Sequence, residues 1–175
     1  MKSLVVYSSR TGNTRKLAEA IAAVLPGARL CPVQDAPDPQ DAAAHDLVAL
    51  GYWVRRGGPD AAASAYLAAL KGATVALFGT LGAWPDSPHA ARCRERGETL
   101  LADPERGNRV LGTYLCQGRV NPAVVGAAST AGHPMTPERA ARLAEAARHP
   151  DAADLARARE FFAALARRVS EAGRG

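Results

Sequence analysis

The chain has 175 residues, a formal net charge of +5, and 47% hydrophobic against 22% charged residues, which is enough for one domain with a core that needs neither a disulfide nor a metal staple. Cys31, Cys93 and Cys116 are odd in number, widely spaced and without C-x-x-C or a His at ligand spacing, so they resemble neither a disulfide framework nor a zinc site, and buried thiols are expected. No apolar stretch approaches the length that spans a bilayer, and 4–6 is a strand-like run rather than the core of a signal peptide, so a cytoplasmic protein with no membrane association is expected.

In chain order, five short apolar runs fall at 4–7, 28–33, 47–51, 75–79 and 110–116, with helical or loop segments between them. The third and fourth are almost continuously apolar, as strands covered on both faces are. Leu17, Ile21, Val24 and Leu25 share one face of a first helix that Pro26-Gly27 stops. Residues 35–40, with Pro37 and Pro39, read as a loop or a poorly formed crossover. A second helix is predicted over 61–70 and a third over 87–101. An irregular segment follows at 117–137, then helices over 138–148 and 151–171, with Pro150 ending one and Asp151 capping the next. This alternation predicts an α/β fold: an open, doubly wound, five-stranded parallel sheet with helices on both faces. One domain over 1–175 is expected, with an additional segment at about 117–148.

In such a sheet ligands sit beyond the carboxyl ends of the strands, where the strand order reverses. After the first strand, the hydroxyls of Ser9, Thr11 and Thr14 surround Gly12 just as the amphipathic pattern starts. Helix starts leave N–H donors unpaired and carry partial positive charge, so this turn suits a phosphate. The loops after the third and fourth strands hold the chain's two tryptophans, Trp53 and Trp84, beside glycines. Indole faces at those positions suit a flat heterocycle.

These residues resemble the flavodoxin family. Val5-Val6-Tyr7, Ser9, Gly12, Thr14, Ala18 and Ile21 stand at the spacing of its phosphate loop, and the resemblance runs from Met1 to about Cys116 and includes the last helix. It implies a flavodoxin-like three-layer fold and noncovalently held FMN. By that likeness Ser9, Arg10, Thr11, Gly12, Asn13 and Thr14 hold the phosphate. Tyr52, Trp53, Val54, Arg55 and Gly57 belong to the inner ring loop, and Thr80, Leu81, Gly82, Ala83 and Trp84 form the outer one. The stretches Gly51-Tyr52-Trp53-Val54, Phe78-Gly79-Thr80-Leu81-Gly82, Cys116-Gln117-Gly118-Arg119 and His149-Pro150-Asp151 resemble a flavodoxin-like subgroup that includes the BilS proteins linked to bilirubin reduction. That narrower likeness implies that Gln117 and Gly118 border the site.

The resemblance implies an electron carrier between a reductase and an acceptor enzyme, with no catalytic side chain and no metal. Its rivals are an FMN-dependent oxidoreductase acting directly on a small substrate and a flavin-free interaction module. Ordinary flavodoxins are acidic, whereas this chain is basic, so redox partner proteins with an acidic docking surface, or an anionic ligand, suit it better. Nucleic acid is not favoured: there is no block of five or six basic residues, and Arg alternates with Glu and Asp through 92–98 and 138–148 as on solvated helix faces. G-x-S-x-G, the Walker motif and G-x-G-x-x-G are absent, and His45, His89, His133 and His149 show no paired ligand spacing.

Overall fold

The computed structural model describes residues 1–130, 132 and 134–173, with 127, 129 and 130 described through the backbone alone; His133 therefore lies outside the described residues. Strands β1 (Ser3–Tyr7), β2 (Ala28–Pro32), β3 (Leu47–Arg55), β5 (Thr74–Leu81) and β6 (Arg109–Gln117) form the parallel sheet in the order β2-β1-β3-β5-β6. A sixth, two-residue strand, β4 (Gly58–Pro59), pairs antiparallel with the end of β3. The parallel sheet is thus as expected, with one short strand added.

The period-two rule assigns the two faces of the sheet. Val48, Leu50 and Tyr52 of β3 join Val75, Leu77 and Leu81 of β5 on one face, covered by α3 (Ala61–Ala69) and α4 (Pro88–Thr99). Leu47 and Ala49 join Ala76 and Phe78 on the other, covered by α1 (Asn13–Ala22) and the long α7 (Ala152–Ala172). On that second face the Phe78 ring stands edge-on to Phe162, with centroids 5.8 Å apart. It occupies the space above Gly51, where a Cβ would lie 2.1 Å from the ring.

Three expectations are corrected. The third strand does not stop at Gly51: Tyr52 and Trp53 stay paired with Gly79 and Thr80, and Val54 and Arg55 then pair with β4. The hairpin closes through Arg56 and Gly57 at φ 51° and 82°, both positive, as a two-residue type I′ turn requires. An arginine in place of the usual Asn or Asp hides that turn in the sequence. The crossover after β2 contains a short helix, α2 (Pro39–Ala42), capped by Asp38. The segment after β6 is not irregular throughout: α5 (Pro122–Thr130) forms within it, with Asn121 Oδ1 accepting the Ala123 N–H at 2.9 Å. Its Ala, Val and Gly composition has no polar face, so no 3.6-residue period announces it.

α6 (Pro137–Ala146) is capped by Thr136, and α7 by the expected Asp151, which forms a reciprocal capping box with Asp154. Cys31, Cys93 and Cys116 are buried and unpaired, and burial pushes each thiol up. Among the described residues no helix is long and apolar enough to cross a membrane.

Candidate functional site

The carboxyl ends of β1, β3, β5 and β6 meet at one side of the molecule, and a small set of hydrogen bonds ties them together. Thr14 Oγ1 and Thr80 Oγ1 lie 3.0 Å apart, joining the first turn of α1 to the end of β5. Asn13 Nδ2 donates to the Arg119 carbonyl at 3.0 Å, joining the same turn to the loop after β6. The Ser8 hydroxyl donates to Asp60 Oδ1 at 2.8 Å, and Asp60 caps α3. Gly118 is required here: a Cβ would stand 2.8 Å from Asn13 Nδ2.

Helix α1 begins at Gly12, at φ 89°, with no side-chain cap and no acidic residue in its first turn. Ser9 Oγ accepts only from the Arg15 N–H, at 3.3 Å. The helix start therefore keeps its partial positive charge. A Cβ on Gly12 would have nothing within 4 Å, so the turn is open on that side.

Beside this turn is a cavity of about 90 Å³ bounded by Arg10, Thr11, Asn13, Trp53, Val54, Thr80, Leu81, Gly82 and Gly118. Nine of the residues singled out in the sequence thus surround one space. The Arg10 guanidinium carbon lies 5.8 Å from the centre of the Trp53 ring, within cation–π range. Past Val54 and Gly82 a larger chamber of about 670 Å³ opens, and Gly57 and Ala83 line that one. Ser9, Gly12 and Thr14 belong to the turn itself.

The other expected residues stand elsewhere. The Tyr52 ring is fully buried in the core beneath α4, its hydroxyl unpartnered and its pKa pushed up by burial, because alternation along β3 sends 52 and 53 to opposite faces. Arg55 is exposed and lines neither cavity. Trp84 is 45% exposed and also lines neither, so the two indoles are not brought around one space. Gln117 is buried at the end of β6 with Nε2 unpartnered.

Sequence reasoning missed Val120 and Val124, which line both cavities, and Asn121, which lines the smaller one. Val120 packs on the outer loop so closely that a Cβ on Gly82 would meet its Cγ2 at 2.3 Å, and Arg142 on α6 donates to the Gly82 carbonyl. It also read Arg92, Arg96, Arg139 and Arg142 as solvated helix faces, whereas all four line the larger chamber. Their i, i+4 and i, i+3 spacing was the available signal.

The loop after β6 is held from below by a polar corner. The Arg119 N–H donates to the His149 carbonyl at 3.2 Å, and His149 Nδ1 hydrogen-bonds Asp154 Oδ2. Asp154 also accepts from the Asp151 N–H at 3.0 Å and from Arg157 at 2.7 Å. Ligand-type atoms of His149, Asp151 and Asp154 lie within 4.8 Å of one another, but these donors already occupy both Asp154 oxygens. Burial alone would push that carboxyl up; the bonds from His149, Asp151 and Arg157 outweigh it and hold it below the ordinary Asp value.

Because the folded value is depressed, Asp154 contributes stability above the unfolded Asp range, and this is lost as the pH falls through the folded value. Asp154→Asn is therefore expected to cost about 2–3 kcal/mol at pH 7, with the gap to the unmutated protein closing below about pH 4. Urea unfolding at a series of pH values measures it; a gap that stays constant down to pH 3 would contradict the assignment.

A family model described as a flavodoxin domain matches residues 4–163. The Flavodoxin-like domain-containing protein BilS of Clostridioides difficile (strain CD3) is 35% identical over 130 residues, covering 69% of this chain and 68% of the relative. Among solved structures, oxidised Flavodoxin 2 from Bacillus cereus superposes with a TM-score of 0.61 at 20% identity, over 96% of this chain and 99% of that one. A flavoprotein from Lactobacillus acidophilus NCFM, crystallised in complex with FMN, superposes with a TM-score of 0.51 at 19% identity, over 65% of this chain and 92% of its own. At these identities the two structures speak for the fold alone.

Proposed function

This chain belongs to the flavodoxin family, and from that premise we propose that it binds FMN at the strand ends and carries electrons between a reductase and an acceptor protein. The observation that carries the reading is the uncapped start of α1 beside Trp53: donors for a phosphate and a face for a flat ring border the same space. The residues present fit the group. Gly12 leaves the turn open to an anion, and Gln117 brings an unpartnered buried amide to the adjacent strand end.

In this reading the N–H groups of residues 11–14 and the Thr11 hydroxyl hold the phosphate, and the Arg10 guanidinium balances its charge. Trp53 provides the stacking face, and backbone groups of 80–82 and 118 meet the edge of the ring. Bound FMN supplies reversible one- and two-electron chemistry; the side chains orient it and limit its access to water. The net charge of +5 favours partners with an acidic docking face, and three unpaired thiols suit the reducing cytoplasm.

The test is titration of the apoprotein with FMN, following flavin fluorescence. Saturable quenching is expected. Trp53→Ala should weaken binding about tenfold, in line with the loss of roughly 1–1.5 kcal/mol of stacking, while Trp84→Ala stays within about twofold because its ring lines neither cavity. FMN that remains fully fluorescent with folded protein would overturn the reading. The larger chamber favours a second reading, direct reduction of a small substrate. NAD(P)H oxidation by the isolated FMN-loaded protein separates the two, since a carrier needs a separate reductase.

A further inference from the structure

The cleft proposed for the flavin is lined by charge of one sign. Val54, Leu81, Gly82, Val120 and Val124 line both the space of about 90 Å³ and the chamber of about 670 Å³, so the two are continuous. The smaller part alone is too tight for a tricyclic ring, and the FMN reading therefore takes in both. Arg10 and Arg119 border the smaller part. Arg56 from the hairpin turn, Arg92 and Arg96 from α4, and Arg139 and Arg142 from α6 border the larger, with His89 beside them. No Asp or Glu borders either part. Asp60, the carboxylate nearest in sequence to the hairpin turn, is turned instead to Ser8 and the start of α3. Elsewhere arginines meet carboxylates, as in Arg15–Glu19 and Arg106–Asp103. Among the described residues Arg56, Arg92, Arg96 and Arg142 form no such pair; Arg96 donates to the Arg56 carbonyl at 3.0 Å and Arg142 to that of Gly82. Those bonds place the guanidinium groups without cancelling their charge.

We propose that this arginine lining makes the protein hold reduced FMN more tightly than oxidised FMN, so that the bound couple lies above that of the free cofactor. The inference rests on the FMN reading and adds a sign to it. Full reduction of the ring takes up two electrons and, near neutral pH, one proton, so the ring gains one negative charge. The phosphate is charged alike in both states, and its attraction to the start of α1 and to Arg10 cancels from the comparison. What differs is the charge on the ring, and charge near a flavin is one of the means by which a protein tunes it. Guanidinium groups stay protonated at any working pH. Their attraction falls only with the inverse of distance, and a partly closed apolar cleft weakens it far less than water does. A carboxylate lining would act in the opposite sense; here the walls supply none.

The test is anaerobic calorimetric titration of the apoprotein with FMN and with FMN reduced by dithionite, which gives up the two electrons and ends as sulfite; potentiometry of the loaded protein closes the cycle. Reduced FMN should bind at least about tenfold more tightly, which places the bound two-electron couple about 30 mV or more above free FMN. Arg92 is exposed on α4 and has no hydrogen bond or ion pair among the described residues, so its variants should fold normally. Arg92→Gln should lower the ratio of the two affinities at least about threefold and Arg92→Glu at least about tenfold, Arg92→Lys should leave it within about twofold, and added salt should shrink these differences. Arg167→Gln removes the same charge near the far end of α7, where Val169 and Gly173 share a recess with Met1, and should leave the ratio within about 1.5-fold. Reduced FMN bound no more tightly than oxidised FMN, a ratio indifferent to Arg92→Glu, or an equal response to Arg167→Gln would each overturn the inference while leaving the flavin reading in place. If neither form of FMN binds, the flavin reading falls and this inference with it.

Discussion

Replacing Gly12 by Asp is expected to raise the dissociation constant for FMN by at least about a hundredfold, equivalent to roughly 2.7 kcal/mol, and to leave riboflavin, which lacks the phosphate, within about threefold. Helix α1 starts at Gly12 without a side-chain cap and without an acidic residue in its first turn. A carboxylate there would accept the N–H groups that a phosphate needs and set a like charge against it. At the effective dielectric of a protein surface, two charges about 4 Å apart interact by about 4 kcal/mol, more than the predicted loss requires. The fold should survive. Nothing lies within 4 Å of a Cβ at this position, Asp is among the residues that tolerate positive φ, and relative to Gly it gains only roughly a few tenths of a kcal/mol as a cap. Calorimetric titration of both ligands, with a melting curve as control, decides the matter. Unchanged FMN affinity would remove the phosphate from this turn.

The second large effect concerns stability. Gly51→Ala is expected to cost about 3 kcal/mol or more, at the upper end for overpacking a core, because the new methyl would lie 2.1 Å and 2.2 Å from Phe78 Cε2 and Cζ. The ring cannot swing aside: it is fully buried and set edge-on against Phe162 at 5.8 Å. Phe78→Leu removes the clashing atoms and by itself costs about 1–2 kcal/mol. The double variant should therefore be more stable than the sum of the two single losses by at least about 1 kcal/mol. Urea unfolding of the four proteins closes the cycle; strict additivity would show that the ring and the glycine do not share their space. Trp53 lies two residues beyond Gly51 on the same strand, so the single variant should weaken FMN as well.

The sheet was legible because its strands are short apolar runs with little polar interruption, and Val5, Ala49, Leu77 and Phe78 are all in the core. The start of α1 was legible for a different reason: Gly12 and three hydroxyls have no role in a plain cap, and they cluster where helical periodicity begins. What stayed hidden depends on contacts distant in sequence. The period of two that keeps Tyr52 in the core and turns Trp53 to the cleft could be counted only once β3 was known to continue past Gly51. Trp84 carries no period at all in its loop, and composition alone could not show that it faces solvent. Helix α5 has no amphipathic pattern, so the residues that roof the cleft, Val120 and Val124, had no signature. The four helix arginines that line the larger chamber, Arg92, Arg96, Arg139 and Arg142, were visible one helix at a time; their convergence is a property of the assembled layers.

Three side-chain bonds, Ser8 to Asp60, Asn13 to Arg119 and Thr14 to Thr80, lock the strand ends around the cleft to one another. Their dipoles are spent on each other and have little freedom to swing when an electron arrives or departs nearby. On the proposed reading, a site braced in this way demands little rearrangement per electron and so lets a carrier hand charge onward quickly in either direction. On that same reading the response that remains comes from the solvent-facing arginines, and the speed of exchange is set at the surface that would meet a partner.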